Sequence, residues 1–149
     1  MTPQHILGTP SARVILYLPN PPLLPDTHAI DLTALIQLNG NHWRKILTIF
    51  AKLCSADNNW REYRDHNLLK EHEAICFSDQ LLHSNNGQIV HLVAGKASWT
   101  RLDLNPDAFT ALDEASRIRI KDNIILTPYP DYRQFPNALI EQLRPLIAS

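Results

Sequence analysis

The sequence has no excess of charge, few cysteines and no long apolar run, and each shortage excludes a class of protein. Its formal net charge is -1 and its pI is about 6.6. A strong non-specific DNA-binding protein usually has an overall basic surplus, so that class is excluded, although a local basic patch is not. Its two cysteines, Cys54 and Cys76, form no C-x-x-C pair. They are too few for an iron–sulfur cluster or a disulfide framework, and we expect buried thiols in a reducing compartment.

Targeting and membrane signals are also missing. No apolar stretch approaches the roughly 18 residues of a membrane span. Met1–Gly8 lacks the basic region and the apolar region of a signal peptide. These absences predict a cytoplasmic protein with no membrane association.

The common cofactor and catalytic motifs are absent as well. Gly95-Lys96 invites a comparison with a P-loop, but Val90 stands where that loop needs glycine and Ala97 where it needs Ser or Thr. There is no G-x-G-x-x-G, no H-E-x-x-H and no G-x-S-x-G. The densest histidine cluster, Glu71–Glu73, is typical of a solvated charged stretch. The sequence therefore predicts no cofactor and no metal.

Four short apolar runs predict the strands of a buried sheet. They are Ala12–Leu18, Ala74–Phe77, Gln88–Ala94 and Asn123–Thr127, and near-continuous apolar runs are typical of parallel strands buried on both faces. The intervening segments favour helices, so we expect an α/β fold: a three-layer α/β/α sandwich with a mainly parallel sheet of about four strands. The length of 149 residues predicts a single domain, in which residues 1–11 form a loosely ordered arm.

The predicted helices follow from apolar spacing and capping residues. Residues 31–38 favour a short helix, and helical spacing from Trp43 predicts a helix that ends near Cys54. Arg61–His72 is charged and could be a solvated helix. Asn105 and Pro106 suit a helix start, so Asp107–Ser116 is predicted to be helical. Pro136 could open a last helix.

The first strand runs into a proline-rich loop that contains a candidate catalytic residue. In open parallel sheets, ligands bind beyond the carboxyl ends of the strands. Asn20 lies there with a proline on each side, and a rigid backbone suits a side chain that must place a water or a substrate. The alternative is a turn in which Asn20 only bonds to backbone.

The loop after the last strand gathers aromatic and basic side chains. Tyr129, Tyr132, Arg133 and Phe135 fall within seven residues. Such a combination suits stacking on a nucleobase and contact with phosphate. The alternative is a surface loop whose aromatic rings pack on the last helix.

The order of these segments resembles the uracil-DNA glycosylase superfamily, especially its mismatch-specific uracil/thymine branch. Five segments carry the resemblance, each at a strand end or a helix start: Leu18-Pro19-Asn20-Pro21-Pro22, Asn41–Leu47, Ile75–Asp79, Gly95-Lys96-Ala97 and Tyr129-Pro130-Asp131. The resemblance extends over nearly the whole chain and implies the fold of that superfamily.

The resemblance also implies roles for individual residues. Asn20 would position the attacking water, and the Tyr129–Arg133 loop would enter the DNA duplex. Phe77 would stack on an extruded base. The remaining substrate-binding residues implied in this way are Pro21, Gly95, Lys96, Pro130 and Asp131. The reaction would hydrolyse the N-glycosidic bond of a base taken out of the stack.

Three departures from the family pattern favour a different use of the scaffold. Pro19 and Pro22 replace glycines and provide no N–H group near the substrate. Asp131 replaces a serine and puts a negative charge where a DNA phosphate is expected. The sequence therefore predicts a non-catalytic or repurposed protein that binds a nucleobase, a nucleotide or a protein partner. The alternative is a DNA glycosylase acting on uracil or another damaged base, which a basic rim of Lys45, Lys96, Arg101 and Arg133 would favour.

Overall fold

Seven strands form one sheet in this computed structural model, which describes residues 6–9, 11–24, 31–82, 86–113 and 117–148. The strands are β1 (Ile6–Gly8), β2 (Val14–Tyr17), β3 (Glu73–Cys76), β4 (Val90–Ala94), β5 (Thr110–Ala111), β6 (Arg119–Lys121) and β7 (Ile124–Thr127). The α-helices are α1 (Leu32–Asn39), α2 (Asn41–Cys54), α3 (Trp60–Glu62), α4 (Lys96–Arg101) and α5 (Asn137–Ala148). A π-helix (Tyr63–Asn67) follows α3, and a 3-10 helix (Pro106–Ala108) precedes β5.

The sheet is mixed. Its strand order is β1-β3-β2-β4-β7-β6-β5. The central strands β3, β2, β4 and β7 pair in parallel, while β1, β6 and β5 add antiparallel pairings at the two edges. The predicted four-stranded, mainly parallel, uracil-DNA glycosylase-like sandwich is therefore wrong, although the chain is an α/β protein.

The edge strands explain this difference. Ile6–Gly8, inside the segment that the sequence predicted to be a loose arm, pairs with β3. The predicted helix Asp107–Ser116 is also wrong, because the 3-10 helix is followed by β5, which pairs with β6. Asn105 does cap, since its side chain accepts a hydrogen bond from the N–H of Asp107 at 3.0 Å. Burial of Phe109 against the sheet then favours extended backbone. Residues 114–116 lie outside the described part of the chain.

The two faces of the sheet are covered unequally. Side chains alternate along β2, so Val14 and Leu16 join a core with α1, α2 and α5, whereas Ile15 and Tyr17 join a smaller core on the opposite face. That smaller core is closed by α4 and loops. A full second helix layer, as in the predicted three-layer sandwich, is missing from the described residues.

Helices α1 and α2 are joined by a single glycine. The Asp31 side chain caps α1 by accepting a hydrogen bond from the N–H of Ala34. Gly40 separates the helices with a φ of 85°, a conformation that favours glycine. The Asn39 amide bonds both the N–H and the carbonyl of Leu23 at 2.8 Å. This contact fixes the end of the proline-rich loop to α1.

The segment from α3 to β3 is anchored by a buried carboxylate. The predicted solvated helix over residues 61–72 ends early, because α3 passes into the π-helix. Leu69 then adopts a positive φ of 69°, and its N–H donates to the Glu73 side chain at 3.1 Å. The Tyr63 hydroxyl donates to the same carboxylate.

No helix among the described residues is long and apolar enough to cross a bilayer.

Candidate functional site

The carboxyl ends of β4 and β7 lie side by side and open into two loops. Ala94 pairs with Thr127 at the end of the parallel ladder, and the N–H of Gly95 donates to the Thr127 carbonyl at 2.8 Å. The Gly95-Lys96 segment therefore leaves the sheet beside the Pro128–Asp131 loop. This is the position where open parallel sheets bind ligands.

Gly95 permits the close approach of these two loops. Its backbone has φ 85° and ψ 151°, a region that is almost restricted to glycine. A Cβ atom added there would lie 3.3 Å from Cδ1 of Tyr129. The Tyr129 ring therefore occupies the space that a side chain at position 95 would need.

A cleft of about 660 Å³ lies between α4 and the loop after β7. We call it the strand-end cleft. It is lined by Gly95, Lys96, Ala97, Trp99, Arg117, Pro128, Tyr129, Arg133 and Gln134. Its volume falls in the range of small-molecule binding sites, about 300–1,000 Å³.

The charged groups of the strand-end cleft are all cationic. Lys96, Arg117 and Arg133 are exposed, and no carboxylate is among the lining residues that the structure describes. Arg117 is held by Asp113, with Nε 3.3 Å from Oδ2. Burial raises the pKa of the Asp113 carboxyl, but hydrogen bonds from Ile118 and Arg117 outweigh it and hold that pKa below its ordinary value.

The first turn of α2 is fastened to the loop that forms one wall of the cleft. The His42 ring stacks on the Tyr129 ring at a centroid distance of 5.6 Å, and His42 Nε2 lies 2.8 Å from the Tyr129 hydroxyl. Burial, and then the charge of Asp131, raise the pKa of Tyr129. Lys45 Nζ lies 4.0 Å from Asp131 and 5.6 Å from the centre of the Tyr132 ring.

The predicted site residues are brought together only in part. Gly95, Lys96, Tyr129 and Arg133 line one cleft, whereas Asn20 and Pro21 are exposed in the loop after β2 and do not line it. Pro130 is buried behind the cleft wall. Asp131 faces Lys45, and it accepts a hydrogen bond from the backbone N–H of Arg133 at 2.9 Å.

Phe77 has a different environment from the one that the resemblance implies. It is 5% exposed and packs in the main core, with its ring centre 6.2 Å from that of Trp43. A ring buried in this way has no open face for an extruded base. The structure therefore places Phe77 in the core, and its stacking role stays a prediction.

The basic rim expected for an enzyme is present in part. Lys96 and Arg133 line the cleft and Lys45 lies beside it. Arg101 is instead turned toward the neighbouring strand end, where it donates to the Phe77 carbonyl at 3.1 Å.

Of the lining residues that the sequence analysis missed, Trp99 and Arg117 matter most for the chemistry of the cleft. Trp99 lies one helical turn after Lys96, and its indole N–H donates to the Val93 carbonyl at 2.9 Å. A prediction of helix α4 would have placed it beside Lys96. Arg117 reaches the cleft because β6 runs antiparallel to β7, and no sequence signal marks that pairing.

The described residues contain no group of three or more His, Cys, Asp or Glu side chains that could hold a metal. His91 is buried, with Nδ1 2.7 Å from the Tyr17 hydroxyl. Cys76 is buried and Cys54 is half-buried, and both are free thiols. None of these groups lines the strand-end cleft.

Comparison with known proteins gives one result that covers almost the whole chain. No curated protein and no solved structure matches it. One family model matches residues 5–148. The chain therefore belongs to this family, which is described as a family of unknown function (DUF6942).

Proposed function

We propose that this protein binds a nucleotide in the strand-end cleft, without acting on it chemically. The observation that carries the proposal is the composition of the cleft. Three cationic side chains and two aromatic rings, Trp99 and Tyr129, share one cleft of about 660 Å³.

Each part of a nucleotide has a counterpart in the cleft. Lys96, Arg117 and Arg133 provide ammonium and guanidinium groups, which bind phosphate by charge-assisted hydrogen bonds. The rings of Trp99 and Tyr129 provide flat apolar surface for a base. The cationic lining disfavours a cationic ligand, because Lys96 and Arg133 would repel it, and it favours an anion over a neutral ligand.

The lining offers few side chain types for acid–base or nucleophilic chemistry, which favours binding over catalysis. Among the described lining residues there is no carboxylate, histidine, cysteine or serine to serve as a base or a nucleophile. Asn20, the predicted catalytic residue, lies outside the cleft.

Calorimetric titration tests the proposal. We expect saturable binding of UMP or AMP, and affinities about tenfold weaker for the matching nucleosides, because loss of the phosphate removes charge-assisted hydrogen bonds. The double variant Lys96→Gln/Arg133→Gln should lose about tenfold in affinity for the nucleotide. The exposed Lys121→Gln serves as the control for lost charge. Equal affinities for nucleotides and nucleosides, or no binding at low salt, would overturn the proposal.

A DNA glycosylase is the second candidate, and the placement of Lys45, Lys96 and Arg133 around the Tyr129 loop favours it. Its test is base release from uracil-containing single strands and G·U duplexes. Release that disappears in Asn20→Ala would establish the enzyme, whereas no release with protein in excess over DNA at low salt would eliminate it.

A further inference from the structure

A second basic depression is lined by residues of α1, α2, α3, the π-helix and the loop after β7. This groove of about 490 Å³ shares no lining residue with the strand-end cleft. Its charged lining residues are Arg44 of α2, Arg61 of α3, and Arg64 and Asp65 of the π-helix. Trp60 and Tyr132 provide aromatic walls. We call it the arginine groove.

Arg64 is held in place before any ligand arrives. Its Nη1 donates to the Thr48 hydroxyl at 3.0 Å, and its Nε donates to Asp65 at 3.0 Å. The guanidinium carbon of Arg64 lies 5.5 Å from the centre of the Trp60 ring. A side chain fixed by three contacts loses little further entropy on binding a ligand.

Arg44 and Arg61 differ from Arg64, which lies beside Asp65. Both side chains are exposed, and within the described part of the chain neither lies in an ion pair with a carboxylate. Arg61 stacks on Trp60, with its guanidinium carbon 4.8 Å from the ring centre. Like charges that converge on one groove repel each other, so an anion between them would be stabilised.

The backbone of this region has an uncommon form. Arg64 and Asp65 belong to a π-helix of five residues, and such segments are rare and frequently lie at functional sites. The Arg64 side chain reaches α2, where the Thr48 hydroxyl accepts a hydrogen bond from its guanidinium group. The π-helix therefore indicates a functional site independently of the charged side chains.

We infer that the arginine groove is a binding site for a phosphate monoester. Three arginines against one aspartate leave a formal charge of +2 in the lining, which matches the charge of about -1.5 to -2 on a phosphate monoester at pH 7. Guanidinium forks fit phosphate oxygens in pairs of hydrogen bonds. A phosphodiester carries only one negative charge per group and matches the groove less well.

The test measures binding of phenyl phosphate by calorimetry and by the indole N–H signal of Trp60 in nitrogen-15 NMR spectra. It is performed in the Lys96→Gln/Arg133→Gln background, so that the strand-end cleft binds the ligand more weakly and contributes less to the signal. We expect saturable binding and a shift of the Trp60 signal, which Trp60→Phe identifies. Methyl phenyl phosphate, which keeps the ring but carries a single charge, should bind about tenfold more weakly.

Two double variants compare the loss of two charges inside the arginine groove with the loss of two charges elsewhere. Arg44→Gln/Arg61→Gln should weaken phenyl phosphate binding about tenfold or more. Lys70→Gln/Lys121→Gln removes two exposed charges elsewhere and should leave the affinity unchanged. Equal losses in both variants, or no binding at low salt in the parent, would overturn the inference. UMP binding to the strand-end cleft would stand in either case, because it is measured separately with Arg44→Gln/Arg61→Gln.

Two further ligands identify the source of the phosphate group. Glycerol 3-phosphate represents small metabolites, and a pentapeptide with a central phosphoserine represents modified proteins. Tighter binding of either supports the inference and names the source. Tighter binding of a single-stranded oligothymidine that displaces phenyl phosphate and is lost in Arg44→Gln/Arg61→Gln would assign the groove to phosphodiesters and overturn the inference.

Discussion

Gly95 is the residue on which the shape of the strand-end cleft depends most directly. Its backbone conformation is costly for any other amino acid, and the Tyr129 ring fills the space where a side chain would go. The strained backbone and the contact with Tyr129 would both oppose a Cβ atom at position 95. The glycine at the end of β4 is therefore explained by the loop that it contacts, and not by phosphate chemistry.

Gly95→Ala should lower the free energy of unfolding by about 1–3 kcal/mol, the cost of holding a side chain in this backbone region. The same variant should weaken nucleotide binding, because Tyr129 must move. Urea unfolding and calorimetry measure the two effects. Gly87→Ala is the control, since an added Cβ there meets nothing within 4 Å. Equal stability of the two variants would contradict this account.

Asp113 should make the stability of the protein depend on pH in the acid range. Its pKa is held below the ordinary value in the folded state, so its ionised form contributes stability at pH values above the unfolded pKa of about 3.9. That contribution is lost as the pH falls through the lower folded pKa. Asp113→Asn should destabilise the protein by about 1 kcal/mol at pH 7.

Urea unfolding at several pH values checks this prediction. The difference between wild type and Asp113→Asn should shrink as the pH falls below the ordinary carboxylate pKa. The exposed Asp122→Asn provides a comparison for the loss of a carboxylate without these partners. A difference that stays constant down to strongly acid pH would show that Asp113 contributes nothing through its ionisation.

Among the secondary-structure elements, α2 has two roles. Its apolar side buries Ile46, Leu47 and Phe50 against the sheet and α5. Its first turn reaches the loop after β7 through His42 and Lys45. One helix therefore connects the main core to the wall of the strand-end cleft.

A double-mutant cycle on His42→Ala and Tyr129→Phe measures this connection. We expect a coupling energy of about 0.5–1.5 kcal/mol, the net contribution of one hydrogen bond. Thermal or urea unfolding of the four proteins provides the data. Additive effects would mean that His42 does not support the loop through Tyr129, and the affinity for UMP should then be unaffected by His42→Ala.

Elements with a regular apolar period were predicted well, and elements formed by pairing were not. The spacing after Trp43 predicted a helix ending near Cys54, and α2 ends there. The segment from Asp107 to Ser116 offered capping residues but no apolar period, and β5 forms there because β6 provides a partner. Strands of two or three residues carry too few side chains to show an alternating pattern.

The stability of the domain should depend most on the strands at the centre of the sheet. Leu92 lies in β4 between Leu16 of β2 and Ile125 of β7, and it is fully buried. Leu92→Ala should therefore cost about 2–5 kcal/mol, as expected for a cavity in a packed core. Urea unfolding tests this prediction, with Leu38→Ala as the control. The Leu38 side chain is 47% exposed, so its removal should cost about 0.5 kcal/mol. Similar costs would contradict the assigned core.

Part of the candidate site could be predicted from strand ends alone. Lys96, Tyr129 and Arg133 follow apolar runs, and the rule that ligands bind beyond the carboxyl ends of parallel strands pointed to them. Asn20 and Phe77 satisfied the same rule, but Asn20 does not line the cleft although β2 neighbours β4, and the Phe77 ring packs in the core. The rule identifies an edge of the sheet, and it does not say which loop residues at that edge share one cleft.

The amino-acid order was sufficient to specify local features: apolar runs that become strands, the apolar face of α2, and turns rich in proline. These follow from burial and backbone restriction over a few residues. The gathering of Lys96, Arg117 and Arg133 around one cleft, and of Arg44, Arg61 and Arg64 around another, required the folded chain. In a chain of net charge -1, only packing between distant segments could reveal these two cationic clusters, because the periodicity of a segment carries no information about its neighbours in space.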